Sequence, residues 1–144
     1  MRFLSSLTVL LCLLSGSFAA QSTKQLPPPA NLKTPPPTAA KKSFVISSVV
    51  IKAGTGKVRP KATDTVTVNY TGWTSDGKTF DTTSGGEPST FALNEVITGW
   101  TEGLQMMVEG ETRRFWIPEQ LAYRGRRAPY GTLVFDIELI SIQK

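Results

Sequence analysis

Two proline triplets limit how much of this chain can fold. Pro27–Pro29 and Pro35–Pro37 lie within residues 20–43, among small and polar side chains. Because proline lacks an amide hydrogen and fixes φ, the segment favours extended polyproline II. It has few apolar side chains to bury, so we expect a disordered tether, with a ligand for a proline-binding module as the alternative. The folded part is therefore predicted to span residues 44–144, a typical length for one domain.

Residues 1–19 have the pattern of a secretory signal peptide. A positively charged start at Arg2 is followed by the apolar run Leu7–Leu14, and Ser17 and Ala19 are small enough for the cleavage subsites. The apolar run is shorter than the roughly 20 residues that span a bilayer, so cleavage is favoured over a retained anchor. We expect an exported protein, periplasmic in preference to secreted, with no membrane span after cleavage.

The residue types that are missing exclude several kinds of catalysis. The chain has no His, and its single Cys lies in the predicted signal peptide. Ser-His-Asp and Cys-His catalysis, His-ligated zinc and an internal disulfide are therefore excluded. We expect neither a metal nor a cofactor.

The positive charge of the chain comes from its first part. The formal net charge is +5, from 16 basic and 11 acidic residues. Five basic residues precede Phe44, which leaves 11 basic and 11 acidic residues in the domain. A neutral domain behind an export signal argues against a nucleic-acid partner. Within the domain, five arginines still cluster in the sequence: Arg113, Arg114, Arg124, Arg126 and Arg127. We interpret this cluster either as a solvated rim or as a surface that favours acidic client proteins.

Alternation of apolar and polar residues predicts a mostly β domain. It is clearest in Thr65–Tyr70 and in Leu133–Ile142, and Asp76-Gly77 is typical of a hairpin turn. One helix is predicted over Gly99–Val108, followed later by a helical turn at Pro118–Tyr123. The prediction is an α+β domain, with about five antiparallel strands and one short α-helix covering a face of the sheet. Further strands are predicted at residues 44–52, 78–82, 90–93 and 112–117.

Five motifs in order resemble the FKBP-type peptidyl-prolyl cis–trans isomerases over residues 44–144. The resemblance implies a curled antiparallel sheet wrapped around a short helix, in a monomer that binds proline-containing polypeptides and macrolides such as rapamycin. The motifs are Val68–Trp73, Asp76–Asp81, Val96–Leu104, Ile117–Tyr123 and Thr132–Leu139.

The same resemblance implies roles for individual residues. It implies a pocket with an indole floor, aromatic walls, an edge whose backbone N–H binds a ligand carbonyl, a carboxylate, and a phenol that donates to the ligand amide. As catalytic residues it implies Asp81, Trp100, Tyr123 and Phe135. As substrate-binding residues it implies Tyr70, Phe80, Val96 and Ile97. Outside the motif context, each of these would be read as a core or turn residue.

Three features depart from the family pattern. The segment between Leu93 and Asn94 is about two residues shorter than in the small single-domain members of the family. Ser89 stands where an aromatic residue is common, which predicts an open pocket wall. The loop Arg124–Gly131 is several residues shorter than is typical of the family. We therefore expect the macrolide affinity and the substrate sequence preference to differ from those typical of the family more than the isomerase activity does.

Isomerisation of an X–Pro bond suits a chain without His. The reaction breaks amide resonance across a barrier of ~18–20 kcal/mol and transfers no proton. An apolar pocket that favours the twisted amide is sufficient, so general acid–base catalysis by Asp81 is not required. The sequence predicts an isomerase that assists the folding of exported proteins. The alternative is a peptide-binding module or chaperone of the same fold with little or no isomerase activity.

Overall fold

The computed structural model describes residues 27–30, 32, 40–42 and 46–144. The predicted signal peptide and most of the predicted tether lie outside the described residues, so both remain predictions. Among the described residues, no helix has the length and apolar character that crossing a membrane requires.

A single antiparallel sheet organises the domain. Its strands among the described residues are β1 (Ala40–Lys42), β2 (Ile46–Lys52), β3 (Thr65–Thr74), β4 (Thr79–Thr82), β5 (Ser89–Ala92), β6 (Thr112–Ile117) and β7 (Leu133–Gln143). Their spatial order is β1-β2-β6-β7-β3, and both β4 and β5 pair with β3 on its free side. The α+β prediction is confirmed, although the described residues form seven strands rather than about five.

The two longest strands, β3 and β7, form the centre of the sheet. They pair from Thr65 opposite Gln143 to Thr74 opposite Leu133, with a register shift after Thr67. The predicted alternation is confirmed in β7, where Leu133, Phe135, Ile137 and Leu139 are buried. This face of the sheet carries the main core, because β-strand side chains alternate between the two faces.

Helix α1 (Thr98–Leu104) is shorter than the predicted Gly99–Val108. It ends early because the amides of Met106 and Met107 bond to carbonyls only three residues back, which tightens the chain into a turn. The described residues also form two 3-10 helices, at Leu93–Glu95 and Glu119–Leu121, and the second lies within the predicted helical turn.

The opposite face of the sheet carries a smaller apolar cluster. Trp73, Trp116 and Val134 pack there with Leu32, which lies in the predicted tether and is 7% exposed. Strand β1 also precedes the predicted domain start at Phe44. Parts of the chain before residue 44 therefore contact the sheet.

Candidate active site

A cavity of about 430 Å³ opens on the side of the sheet that faces α1. It contains every residue that the sequence analysis assigned to a site, together with three that it did not. The predicted residues are Tyr70, Phe80, Asp81, Val96, Ile97, Trp100, Tyr123 and Phe135; the additional ones are Phe91, Glu95 and Arg127. The structure thus brings the predicted set together around one cavity.

Trp100 forms the centre of an aromatic floor. Its ring meets Tyr70, Phe91 and Phe135 at centroid distances of 4.9, 5.4 and 5.3 Å, and all three pairs are edge-to-face. Phe80 adds a fourth edge-to-face contact, with Phe135 at 5.5 Å. Edge-to-face pairs each add roughly 0.5–1.5 kcal/mol beyond the burial of their area. The rings therefore hold one another in a fixed, apolar surface.

Each aromatic ring of the floor comes from a different element, so no single segment builds the site. Tyr70 lies on β3, Phe80 on β4, Phe91 on β5, Trp100 on α1 and Phe135 on β7. The sheet order makes β3 the neighbour of β4, β5 and β7. The hairpin between β3 and β4, with Gly77 at a φ of +91°, returns Phe80 beside β3 as the Asp76-Gly77 prediction implied.

Gly72 on β3 makes room for two of these rings. A Cβ atom at this position would lie 2.8 Å from Phe135 Cε1 and 2.8 Å from Phe80 Cζ. Any side chain here would push both rings out of position. Gly72 was not among the residues predicted from the sequence, although a glycine inside an alternating strand signals close approach by another group.

Phe91 forms the side of the cavity near Ser89. Residues two apart on a strand share a face, so Phe91 lies on the same face of β5 as Ser89. Its ring is 6.0 Å from that of Tyr70 and 5.4 Å from that of Trp100. The aromatic wall that Ser89 cannot supply is therefore partly provided by Phe91. Alternation within β5 was the signal that could have identified it.

Several hydrogen-bond donors at the cavity have no partner in the described part of the chain, among them the buried indole N–H of Trp100. The Tyr123 hydroxyl and the backbone N–H of Ile97 make no hydrogen bond to any residue that the structure describes. Ile97 directly precedes α1, and Tyr123 follows the second 3-10 helix. Both donors are therefore available to a bound chain.

Asp81 and Tyr70 form a polar pair beside the aromatic floor. The Tyr70 hydroxyl donates to Asp81 Oδ2 at 2.6 Å. Burial raises the pKa of Tyr70 above its ordinary value of 10.0, and the hydrogen bond and negative charge of Asp81 raise it further. The pair therefore stays as a neutral phenol bonded to a carboxylate, and the carboxylate fixes the ring that forms a cavity wall.

We predict that Asp81→Asn lowers the pKa of Tyr70 without restoring its ordinary value. Loss of the carboxylate removes the charge, whereas burial, the larger cause, remains. A spectrophotometric titration of phenolate should show a late Tyr70 transition that moves to lower pH in the variant. Tyr70→Phe identifies that transition by removing it. An unchanged late transition in Asp81→Asn would contradict the pairing.

The same shift predicts how stability depends on pH. The folded state holds the Tyr70 proton more tightly than the unfolded state does, so this contribution is fully present below about pH 10. This contribution to stability is lost as the pH rises from about 10 through the higher pKa that Tyr70 has in the folded state. Wild-type protein should therefore lose more unfolding free energy above pH 10 than Tyr70→Phe does, as measured by urea unfolding at several pH values.

Comparison with known proteins shows the family to which this fold belongs. The family model described as FKBP-type peptidyl-prolyl cis-trans isomerase matches residues 56–140. The FKBP-type isomerase FkpA of Aeromonas hydrophila is 50% identical over 100 residues, covering 66% of this chain and 37% of that protein. The outer membrane protein MIP of Legionella longbeachae is 48% identical over 101 residues, covering 66% of this chain and 43% of that protein. The chain thus spans less than half the length of these two relatives.

Comparison with solved structures shows the same fold in two isomerases. The crystal structure of FkpA from Escherichia coli matches with a TM-score of 0.69 and 42% identity, covering 75% of this chain and 53% of that one. An isomerase from Pseudomonas syringae pv. tomato matches with a TM-score of 0.69 and 37% identity, covering 76% and 84%. Since the family model covers more than half of the sequence and the fold agrees, this chain belongs to the FKBP-type peptidyl-prolyl cis–trans isomerases.

Proposed function

We propose that this domain catalyses cis–trans isomerisation of X–Pro bonds in exported polypeptides. The observation that supports this most is a fixed aromatic cavity that offers the Ile97 N–H and the Tyr123 hydroxyl, neither of which is bonded to any described residue. A proline ring is compact and apolar, and the flat indole of Trp100 offers a surface for it. The two donors suit the carbonyl groups of an extended chain on either side of that ring.

The apolar walls lower the barrier by favouring the twisted amide. A planar amide is strongly polar because of resonance, and the twisted form loses that polarity. Transfer from water into a cavity lined by Trp100, Phe135 and Phe80 therefore costs the planar form more than the twisted one. This difference between ground state and transition state raises the rate, whereas equal binding of both would not.

The two donors orient the bound chain during rotation. In this proposal the Tyr123 hydroxyl binds the carbonyl of the residue before proline, and the Ile97 N–H binds a carbonyl on the other side. Holding both ends restricts motion to rotation about the X–Pro bond, which reduces the entropy lost on reaching the transition state. Asp81 acts by orienting Tyr70, and no proton needs to move.

The cellular setting is also a proposal. The predicted signal peptide indicates export, and the relatives named FkpA and outer membrane protein MIP are consistent with an exported or periplasmic protein. Substrates would be proline-containing polypeptides that are unfolded after export. We further propose that the domain acts as a monomer and binds macrolides through the same cavity.

A refolding experiment tests the proposed function. The substrate is a small protein whose slow folding phase, lasting tens of seconds or more, is limited by proline isomerisation. We expect the slow rate constant to rise in proportion to the concentration of this protein, and a macrolide that fills the cavity to abolish the effect. Binding to the unfolded substrate without any acceleration would instead support a peptide-binding module and overturn the proposal.

A further inference from the structure

A short basic loop forms one side of the cavity mouth. We call Arg124–Gly131 the arginine loop; Glu119 holds both of its ends. The Arg124 amide donates to the Glu119 carbonyl at 2.9 Å, and the Gly131 amide donates to Glu119 Oε2 at 2.7 Å. These bonds fix both ends of the loop, so its side chains are held in a defined position beside the cavity.

The three arginines of this loop have different surroundings from Arg113 and Arg114, the other two members of the cluster seen in the sequence. Arg113 pairs with Glu111 at 2.6 Å, and Arg114 pairs with Asp136 at 2.6 Å, so both are used within the sheet. Three positive charges remain on the arginine loop, and it contains no acidic residue: Arg124, Arg126 and Arg127.

Arg127 is the loop arginine that lines the cavity. Its Cζ atom lies 4.3 Å from the centroid of the Tyr123 ring, in a cation–π contact that holds the guanidinium at the mouth. Within the described part of the chain, no carboxylate lies within ion-pair distance of Arg127. Its positive charge is therefore available to a ligand.

We propose that Arg127 makes the site favour Glu over an uncharged side chain of the same shape immediately before proline. This inference rests on the isomerase function proposed above, in which Tyr123 binds the carbonyl of that residue. The side chain of the same residue branches one carbon away from that carbonyl. A Glu side chain extending over Tyr123 can therefore reach the guanidinium stacked on its ring.

Besides Arg127, two carboxylates line the cavity: Asp81, which accepts a hydrogen bond from Tyr70, and Glu95. Glu95 belongs to the 3-10 helix before α1, next in sequence to Val96 and Ile97, whereas Arg127 lies beside Tyr123. The mouth therefore carries opposite charges on two separate elements. A negative side chain is favoured near Arg127 and disfavoured near Glu95, so the preference depends on position along the bound chain.

The test compares two short peptides that differ only in Glu or Gln before proline. The two side chains have nearly the same shape, so the ratio of their kcat/KM values reports the charge alone. We expect the wild-type protein to prefer Glu about two- to fivefold at low salt, the range for exposed charge pairs. The preference should fall as added salt screens the charges.

Two matched variants locate the effect. Arg127→Gln should bring the Glu-to-Gln ratio close to one. Arg126→Gln removes the same charge one residue away, where the side chain does not line the cavity, and should keep most of the preference. Glu95→Gln should leave the ratio unchanged or raise it.

Each outcome separates this inference from the isomerase proposal. A wild-type ratio of one or below, with clear acceleration of the Gln peptide, overturns the acidic preference and leaves the isomerase function intact. A ratio that survives in Arg127→Gln, or is lost equally in Arg126→Gln, also overturns the role of Arg127. Failure to accelerate either peptide overturns the isomerase proposal itself.

Discussion

Replacing Phe135 with leucine is expected to lower kcat/KM for an X–Pro peptide about 30-fold. The Phe135 ring is 3% exposed and makes edge-to-face contacts with both Trp100 and Phe80. Leucine keeps apolar bulk but cannot hold those two rings or close the wall against water. We assign about 2 kcal/mol of transition-state stabilisation to this ring, which corresponds to about 30-fold in rate.

Phe115→Leu is the matched control for this prediction. Phe115 lies directly opposite Phe135 in the pairing of β6 with β7, and it is equally buried at 1% exposure. It does not line the cavity. Both variants should lose a similar amount of unfolding free energy, about 1–2 kcal/mol, because both truncate a buried ring. Only Phe135→Leu should lose activity strongly; equal activity losses would show that the effect is general destabilisation.

Gly99→Ala is expected to destabilise the fold by about 2 kcal/mol, although alanine is the better helix former. A Cβ atom at Gly99 would lie 2.4 Å from Ile117 Cγ2 and 2.8 Å from Ile117 Cδ1. Ile117 is fully buried on β6, so its side chain can move aside only by displacing other core atoms. Overpacking of this kind costs about 1–3 kcal/mol and occasionally more, whereas the gain in helix propensity is about 1 kcal/mol.

Gly86→Ala provides the comparison for Gly99→Ala. The nearest atom to a Cβ at Gly86 is the Thr83 carbonyl oxygen at 3.7 Å, an ordinary contact. Urea unfolding followed by tryptophan fluorescence should place Gly86→Ala within about 0.5 kcal/mol of wild type, as for most surface substitutions. If Gly99→Ala were as stable as wild type, α1 could not lie against Ile117 as described.

Local sequence patterns were sufficient for the fold class. The alternation in β7 and the Asp76-Gly77 turn depend on neighbouring residues, and the structure confirms both. The end of α1 was predicted too late because Met107 is buried yet lies in the turn that follows the helix. Apolar spacing continues into that turn, so spacing alone cannot show where helical hydrogen bonding stops.

The parts of the site that were missed depend on contacts between distant segments. Gly72 matters because Phe80 and Phe135 pack over it, and Phe91 matters because β5 pairs with β3. Arg113 and Arg127 look alike in the sequence, yet one pairs with Glu111 and the other stacks on Tyr123. Register and side-chain partners across the sheet decide these roles, and a single sequence does not contain them.

The central claim is that the aromatic cavity accelerates rotation about an X–Pro bond. The most direct measurement is NMR exchange spectroscopy of a short X–Pro peptide, with a small amount of the protein added. We predict exchange between cis and trans signals that speeds up in proportion to protein concentration, while the equilibrium ratio of the two forms stays constant. Uncatalysed exchange takes tens to hundreds of seconds. If the folded protein bound the peptide and exchange remained that slow, the claim would be contradicted.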